Sequence, residues 1–127
     1  MSALPPDIQK LLSDGENSSP EGAEFTLVFA INYGGRGEIL QAVNRAIESG
    51  VKIDESGFSL LLYTAEIPDP DLIIRTGGEL RLSNFLTYQS AYSELYFTDV
   101  LFPDFSDEEF DKALNAYAVR NRRFGKI

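Results

Sequence analysis

Two short, largely apolar segments of this chain each run directly into a turn that contains a pair of glycines. Residues 25–31 (FTLVFAI) lead into Gly34-Gly35, and residues 71–75 (DLIIR) lead into Gly77-Gly78. Continuous apolar runs rich in β-branched and aromatic residues are typical of strands buried on both faces, as in a parallel sheet. The pattern therefore predicts two buried strands that each end in a glycine-containing turn.

Helical patterns surround these strands. Residues 6–12 predict a short helix with prolines at its start, followed by a polar loop over residues 13–22. Asp54 suits the start of a short helix over residues 55–62, although that spacing also fits a strand. After the first glycine pair, apolar residues recur at helical spacing, and Gly50 stands where a helix commonly ends. The apolar face of that predicted helix consists of Ile39, Leu40, Val43 and Ile47.

The alternation continues after the second glycine pair. Ser83 is predicted to cap a helix that runs to about residue 92, and residues 95–97 predict a third strand. Ser106 and Glu109 have the spacing of a capping box and predict the start of the last helix. The apolar stripe of that helix is formed by Phe110, Ala113, Leu114 and Tyr117.

Strands that alternate with helices predict an α/β domain with a parallel sheet and flanking helices. A length of 127 residues suits one hydrophobic core. We therefore expect a single domain over residues 1–127, with a leader helix and loop in residues 1–24 and βα units in residues 25–127. Ligands of such sheets bind beyond the carboxyl ends of the strands, where Arg75 and the turn over residues 32–37 fall.

Composition excludes several kinds of site. The chain has no Cys and no His, which removes disulfides, thiolate metal sites and His-based catalytic triads. Eleven Lys and Arg residues against 20 Asp and Glu residues give a net charge of −9, so we expect no nucleic-acid partner. The sequence shows no apolar run of membrane-spanning length and no signal-peptide layout at its start, so the expected compartment is the cytoplasm.

The strongest candidate for a functional site is the segment of residues 75–84 (RTGGELRLSN). Guanidinium groups match phosphate oxygens, glycines let backbone N–H groups approach an anion, and a helix N-terminus adds positive potential. These features predict a cradle for phosphate or diphosphate. The structural alternative, which spacing alone favours, is a tight turn between strand and helix with an N-cap and two solvated arginines.

Two further features have both a functional and a structural interpretation. Glu94 lies among aromatic residues just before a predicted strand, where a carboxylate suits a Mg²⁺ ion shared with a phosphate or a simple surface position. The turn over residues 32–37 (NYGGRG) resembles a phosphate turn but lacks both the GxGxxG and the GxxxxGK[ST] patterns. We therefore assign Arg36 a structural role first.

Together these segments resemble the cis-prenyltransferases, the family of undecaprenyl and related polyprenyl diphosphate synthases. The residues LPPDIQKLL also resemble the family's helix before its fourth strand. The matching segments are NYGGRGEI (32–39), PDPDLIIRTGGELRLSNF (68–85), Tyr88-Gln89, AYSELYFTDVLFPDF (91–105) and RRFG (122–125).

The resemblance implies a doubly wound α/β dimer that adds isopentenyl diphosphate to an allylic diphosphate with cis geometry. It implies that Arg75, Arg81 and Ser83 bind the diphosphate of isopentenyl diphosphate, and that Glu94 contributes to a Mg²⁺ site. The expected partners are both diphosphates and a second chain, in a homodimer or with another cis-prenyltransferase. A lipid product also implies peripheral contact with a membrane.

At the end of the chain, Arg123 and Gly125 match the family's RxG motif, which reaches the substrate site of the partner subunit. The family's Met-Asp-Gly-Asn-Gly-Arg type of motif, whose Asp is central to catalysis, has no counterpart in the 127 residues, and Trp is absent. The catalytic residues are therefore left unassigned. The chain resembles the C-terminal half of the enzyme, and it keeps the isopentenyl diphosphate half-site without the allylic one.

Three functional interpretations follow from this partial match. The chain is a polypeptide of an isoprenyl transferase, a non-catalytic subunit that pairs with an active chain, or a truncated remnant that binds diphosphate without turnover. Because the family's first strands are missing, residues 25–31 are expected to form an exposed apolar edge. We expect the isolated chain to dimerise, to pair with another polypeptide, or to be marginally stable.

Overall fold

The computed structural model describes residues 4–120, which divide into two compact units, residues 4–33 and residues 34–120. In the first unit, helix α1 spans Pro6–Asn17 and begins with its proline in the first turn, as predicted. The helix extends into the segment predicted as a polar loop. The predicted end of the helix is therefore wrong. Residues 13–17 contain no proline, and the first later residue that cannot continue a helix is Pro20.

The predicted strand over residues 25–31 is not formed. Its backbone has no regular structure, and its apolar side chains are exposed, with Phe25 at 88%, Leu27 at 79% and Phe29 at 71% exposure. A strand requires a hydrogen-bonded neighbour, and among residues 4–120 only two other segments pair as strands. The apolar segment therefore predicts a strand by composition, but none of the described residues pairs with it as a strand.

The second unit opens with helix α2, Gly35–Ser49, which ends at Gly50 in the left-handed conformation as predicted. Its predicted apolar face is not the buried one. Leu40 is 64% exposed and Ile47 is 72% exposed, whereas the residues that the helix buries are Gly35, Glu38 and Ala42. The helix therefore packs on the rest of its unit mainly through small and polar residues.

The sheet consists of two parallel strands, β1 (Leu72–Arg75) and β2 (Glu94–Phe97). Leu72 lies opposite Glu94, and Arg75 lies opposite Phe97. The second and third predicted strands and their parallel pairing are confirmed. A short helix α3, Glu55–Ser59, precedes β1 and is capped by Asp54.

The predicted helix that begins at Ser83 does not form. Ser83, Asn84 and Leu86 have φ values of 49°, 68° and 42°, all in the left-handed region. L-residues pay a steric cost there and cannot continue a right-handed helix through it. The connection contains only a 3₁₀ turn, Gln89–Tyr92, so the prediction is corrected to a loop with a late helical turn.

The last helix, α4, spans Asp107–Ala118 and begins where the capping pattern predicts. The Ser106 hydroxyl accepts a hydrogen bond from the Glu109 N–H at 3.4 Å. Glu109 pairs with Lys112, so only one half of the capping box forms. Ala113 is 0% exposed and is the buried residue of this helix.

Few apolar side chains are buried in residues 4–120. The buried ones are Ala42, Leu62, Ile73 and Ala113. A chain of this length normally buries about two thirds of its surface in one core. Much of its apolar surface is therefore available to another polypeptide. None of the helices in the described range has the length and hydropathy of a membrane span.

We expect the isolated chain to associate through this exposed surface. A Leu40→Gln/Ile47→Gln variant should associate less in sedimentation velocity and keep its melting temperature, because both side chains are exposed. Ala42→Gln, on the buried side of the same helix, should unfold the chain. A wild-type chain that sediments as a single monomer and melts cooperatively at high temperature would contradict this expectation.

The cap of α3 gives a prediction about pH. Hydrogen bonds from the Gly57 N–H and the Ser56 hydroxyl, both 2.8 Å long, lower the pKa of Asp54. A carboxyl whose pKa is lowered on folding contributes stability above its unfolded pKa, and the contribution disappears as pH falls through the folded pKa. Asp54→Ala should therefore lower the melting temperature at pH 7 and have progressively less effect below pH 3.8, the ordinary pKa of the group.

Asp54→Asn is the matched control, because it keeps an oxygen at the cap and does not titrate. The difference in melting temperature between Asp54→Asn and Asp54→Ala should stay constant with pH. If the difference between wild type and Asp54→Ala were equally constant, the ionised cap would not be the cause.

Candidate functional site

The hydrogen-bond ladder of the sheet continues past Arg75 into the glycine turn. The Thr98 N–H donates to the Arg75 carbonyl at 3.0 Å, and the Gly78 N–H donates to the Thr98 carbonyl at 2.9 Å. The Gly77 N–H donates to the Val100 carbonyl at 2.9 Å. The glycine N–H groups are thus engaged in the ladder, so the expectation that they face an anion is not met.

The glycine pair has a conformational reason. Gly77 and Gly78 have φ values of 86° and 77°, which side chains disfavour. A Cβ on Gly78 would also lie 3.0 Å from the Oδ1 atom of Asp99. The two glycines therefore let the chain turn sharply at the end of β1 while it remains bonded to the segment after β2.

Arg75 is the centre of the cluster that the sequence predicts. Its Nη1 donates to the Ser83 hydroxyl at 2.9 Å and also to the carbonyl oxygen of Arg81. Its Nε and Nη2 make no hydrogen bond to other residues within 4–120. The guanidinium thus joins the strand end to the loop through Nη1, and the N–H groups of Nε and Nη2 are further donors.

Arg81 reaches this cluster through its main chain only. Its guanidinium forms an ion pair with Glu79, 2.5 Å from Nη1 to Oε2, and both side chains are at least half exposed. Exposed ion pairs contribute little stability, so the Arg81 side chain is inexpensive to reorient. The structure therefore places Arg75 and Ser83 together, whereas the Arg81 side chain pairs with Glu79 on the surface.

A contact that the sequence did not predict joins the loop to helix α2. The carbonyl of Asn84 accepts a hydrogen bond from the Gly35 N–H at 2.8 Å, and its Oδ1 accepts one from the Arg36 N–H at 2.9 Å. The residue at the N-cap of α2, Gly34, has no side chain to serve this purpose. The only local sign was an uncapped helix start, and nothing in the sequence pointed to a residue 48 positions away.

A buried polar pair lies further along α2, and sequence reasoning also missed it. Glu38 and Gln89 are 1% and 2% exposed, and the Gln89 Nε2 donates to the Glu38 carboxylate at 3.0 Å and to the Thr64 hydroxyl at 2.8 Å. The Tyr63 N–H donates to the same carboxylate at 2.8 Å. This network fixes α2 against the 3₁₀ turn and the segment after α3. The only sign of this network in the sequence was Glu38, a charged residue on the side of α2 opposite the apolar stripe.

Glu94 does not join the Arg75 cluster. It opens β2 opposite Leu72, whereas Arg75 closes β1, so their backbones are about 10 Å apart along the sheet. The Glu94 carboxylate pairs with the Arg120 guanidinium at 2.8 Å, and that guanidinium also donates to the Leu95 carbonyl at 2.9 Å. Glu94 thus fastens the end of the described chain to the start of β2.

No group of three acidic side chains within residues 4–120 is arranged to hold a metal ion. Glu94, the predicted Mg²⁺ ligand, has a cationic partner instead. The predicted roles of Arg123 and Gly125 lie outside the described residues, and they stay predictions.

A family model described as "Putative undecaprenyl diphosphate synthase" matches residues 1–125. The chain belongs to this prenyltransferase family. The match covers both the Arg75–Ser83 cluster and the segment that contains Glu94. The resemblance read from the glycine turns and the AYSELYFTD segment is therefore confirmed.

Curated members of the family show how much of it the chain represents. An isoprenyl transferase from Fusobacterium nucleatum is 51% identical over 125 residues, which are 98% of this chain and 54% of that protein. One from Thermotoga maritima is 50% identical over 129 residues, which cover 98% of this chain and 55% of that protein. The chain spans about half the length of these relatives.

Solved structures of the family confirm the α/β fold. A probable undecaprenyl diphosphate synthase from Campylobacter jejuni is 34% identical with a TM-score of 0.88, over 98% of this chain and 59% of that one. Lavandulyl diphosphate synthase from Lavandula x intermedia was solved in complex with dimethylallyl diphosphate. It is 38% identical with a TM-score of 0.91, and the match covers 98% of this chain and 57% of that one.

The packing of α2 on the loop generates a prediction with an internal control. A Cβ on Gly35 would lie 2.5 Å from the Thr87 Oγ1 and 2.9 Å from its main-chain nitrogen, so Gly35→Ala should cost about 1–3 kcal/mol of unfolding free energy. Gly37, in the same first turn, has open space around its Cβ position. Gly37→Ala should therefore stabilise the chain by about 0.5–1 kcal/mol.

Urea unfolding followed by circular dichroism measures both changes. Equal effects of the two alanine substitutions would show that the helix start does not pack against Thr87.

Proposed function

We propose that this chain provides the isopentenyl diphosphate-binding part of a cis-prenyltransferase, which extends an allylic diphosphate with cis geometry. The observation that carries the proposal is the Arg75 guanidinium at the carboxyl end of β1, bonded to the Ser83 hydroxyl while Nε and Nη2 remain available. Ligands of parallel sheets bind at this end of the strands. Membership of the prenyltransferase family makes a prenyl diphosphate the natural anion for such a cluster.

The proposed roles follow from the chemistry of the side chains. Arg75 donates hydrogen bonds to diphosphate oxygens, and Ser83 both orients Arg75 and presents its hydroxyl to the ligand. Arg81 exchanges its exposed partner Glu79 for the more highly charged diphosphate. These residues bind and orient the ligand, and none of them is assigned a bond-making step.

The described residues do not form a metal site. The family uses a metal ion, and the resemblance implies that it is Mg²⁺. Mg²⁺ prefers several oxygen ligands, but Glu94 is paired with Arg120 and no other carboxylates gather around it into a metal site in the described range. A metal-binding role for Glu94 would require further oxygen ligands and release of Arg120.

We propose that the chain works together with a second polypeptide, in a homodimer or with another cis-prenyltransferase chain, which supplies the allylic half of the reaction. The exposed apolar stripe of α2 supports a second polypeptide. The RxG residues Arg123 and Gly125 are proposed to act on the partner's substrate. The proposed setting is the cytoplasm, with peripheral membrane contact through the lipid product.

Calorimetric titration with inorganic diphosphate and with isopentenyl diphosphate tests the site. Arg75→Ala should weaken binding of both ligands by about tenfold to a hundredfold, because it removes charge-assisted hydrogen bonds. Arg45→Ala is the matched control, since it removes the same charge from the body of α2, where Arg45 contacts the Leu61 carbonyl. Equal losses in the two variants would overturn the proposed site.

Incorporation of labelled isopentenyl diphosphate into lipid tests the assignment of a half-site. The 127-residue chain, supplied with farnesyl diphosphate and Mg²⁺, is expected to form no product, because it contains no counterpart of the family's Asp motif. Lipid product that the Arg75→Ala variant fails to make would contradict this expectation and show that the short chain is an enzyme.

A further inference from the structure

We propose that Asn84 is a positioning residue for the diphosphate site, which holds Ser83 against Arg75 by fastening the loop to the start of helix α2. The inference rests on the proposed function, because it takes Arg75 and Ser83 as the diphosphate-binding residues.

At the start of helix α2, Asn84 supplies the hydrogen-bond acceptors that an N-cap residue normally supplies. The first N–H groups of a helix have no partner within the helix, and a side chain at the N-cap normally accepts from one of them. The N-cap of α2 is Gly34, so that side chain is lacking. Asn84 accepts from the Gly35 N–H through its carbonyl and from the Arg36 N–H through Oδ1, at 2.8 and 2.9 Å.

On the loop side, the same residue supports an unfavourable backbone. Ser83 and Asn84 have φ values of 49° and 68° in succession, and of the two only Asn adopts this region readily. The left-handed backbone of Ser83 therefore depends on contacts with other residues. Arg75 holds its hydroxyl at 2.9 Å, and the two hydrogen bonds of the adjacent Asn84 hold its backbone.

The fit between loop and helix leaves little room for another arrangement. A Cβ added to Gly35 would lie 2.5 Å from the Thr87 hydroxyl, and one added to Gly34 would lie 2.7 Å from the Asn84 Nδ2. The loop therefore contacts the helix start at both Asn84 and Thr87. Releasing Asn84 would free Ser83 to relax to negative φ, which moves its hydroxyl away from the Arg75 guanidinium.

The first test uses the ligand-free chain and NMR signals of the Ser83 amide and the Arg75 guanidinium. Asn84→Ala should shift or broaden both signals, and Asn84→Asp, which keeps an oxygen at the cap, should restore them. Ser106→Ala is the matched control, because it removes an N-cap from α4 and should leave both signals unchanged. Unchanged signals in Asn84→Ala would overturn the proposal.

The second test is a double-mutant cycle with inorganic diphosphate as the probe. Asn84→Ala should weaken binding by about tenfold, and Ser106→Ala should not change it. In a Ser83→Ala background the effect of Asn84→Ala should fall to about twofold or less, because its route to the ligand is removed. An equal effect in both backgrounds would overturn the proposal. A wild-type chain that binds no diphosphate would refute the proposed function instead, and the ligand-free signals would then decide the positioning role.

Discussion

The parallel pairing of β1 and β2 determines where every residue of the candidate site lies. The pairing fixes Arg75 at one end of the two-stranded sheet, and the ladder continues into the glycine turn through Thr98 and Val100. The loop that follows the turn then brings the Ser83 hydroxyl within hydrogen-bond distance of the Arg75 guanidinium. If the strands were shifted by one residue, Arg75 would face the other side of the sheet and the cluster would not form.

Hydrogen bonds between polar groups hold helix α2 in its unit. The start of α2 is held by Asn84, and its middle is held by the buried pair of Glu38 and Gln89. Apolar side chains that would normally supply the core, such as Leu40 and Ile47, are exposed. Buried polar groups are costly unless they are hydrogen-bonded, so these contacts require a precise geometry. With so few buried apolar side chains, we expect the unit to be marginally stable. The same balance explains why a second polypeptide is part of the proposed function.

Local sequence patterns predicted the elements whose causes are local. Gly50 ends α2, Ser106 begins α4, and the residues of β1 and β2 have strand composition. Elements that depend on distant partners were predicted wrongly. Residues 25–31 have the composition of a strand but no pairing neighbour among residues 4–120, and Ser83 has the chemistry of an N-cap but a left-handed backbone.

The site shows the same division. Its members Arg75 and Ser83 were predictable from one short segment, because arginine, glycine and hydroxyl residues at a strand end share a chemistry. The separation of Glu94 from Arg75 was not predictable, since it follows from the strand register. The contact of Asn84 with α2 was also hidden, because hydrogen bonds across 48 residues leave no periodic signal.

The measurement that most directly tests the account is an NMR titration of the isotopically labelled chain with isopentenyl diphosphate, which follows backbone amide and arginine side-chain signals. The account predicts that the largest changes fall on Arg75, Arg81 and Ser83, at the carboxyl end of β1, and that the signals of Glu94 and Arg120 change little. Changes concentrated at the Glu94 end of the sheet, or no saturable change at all, would contradict it.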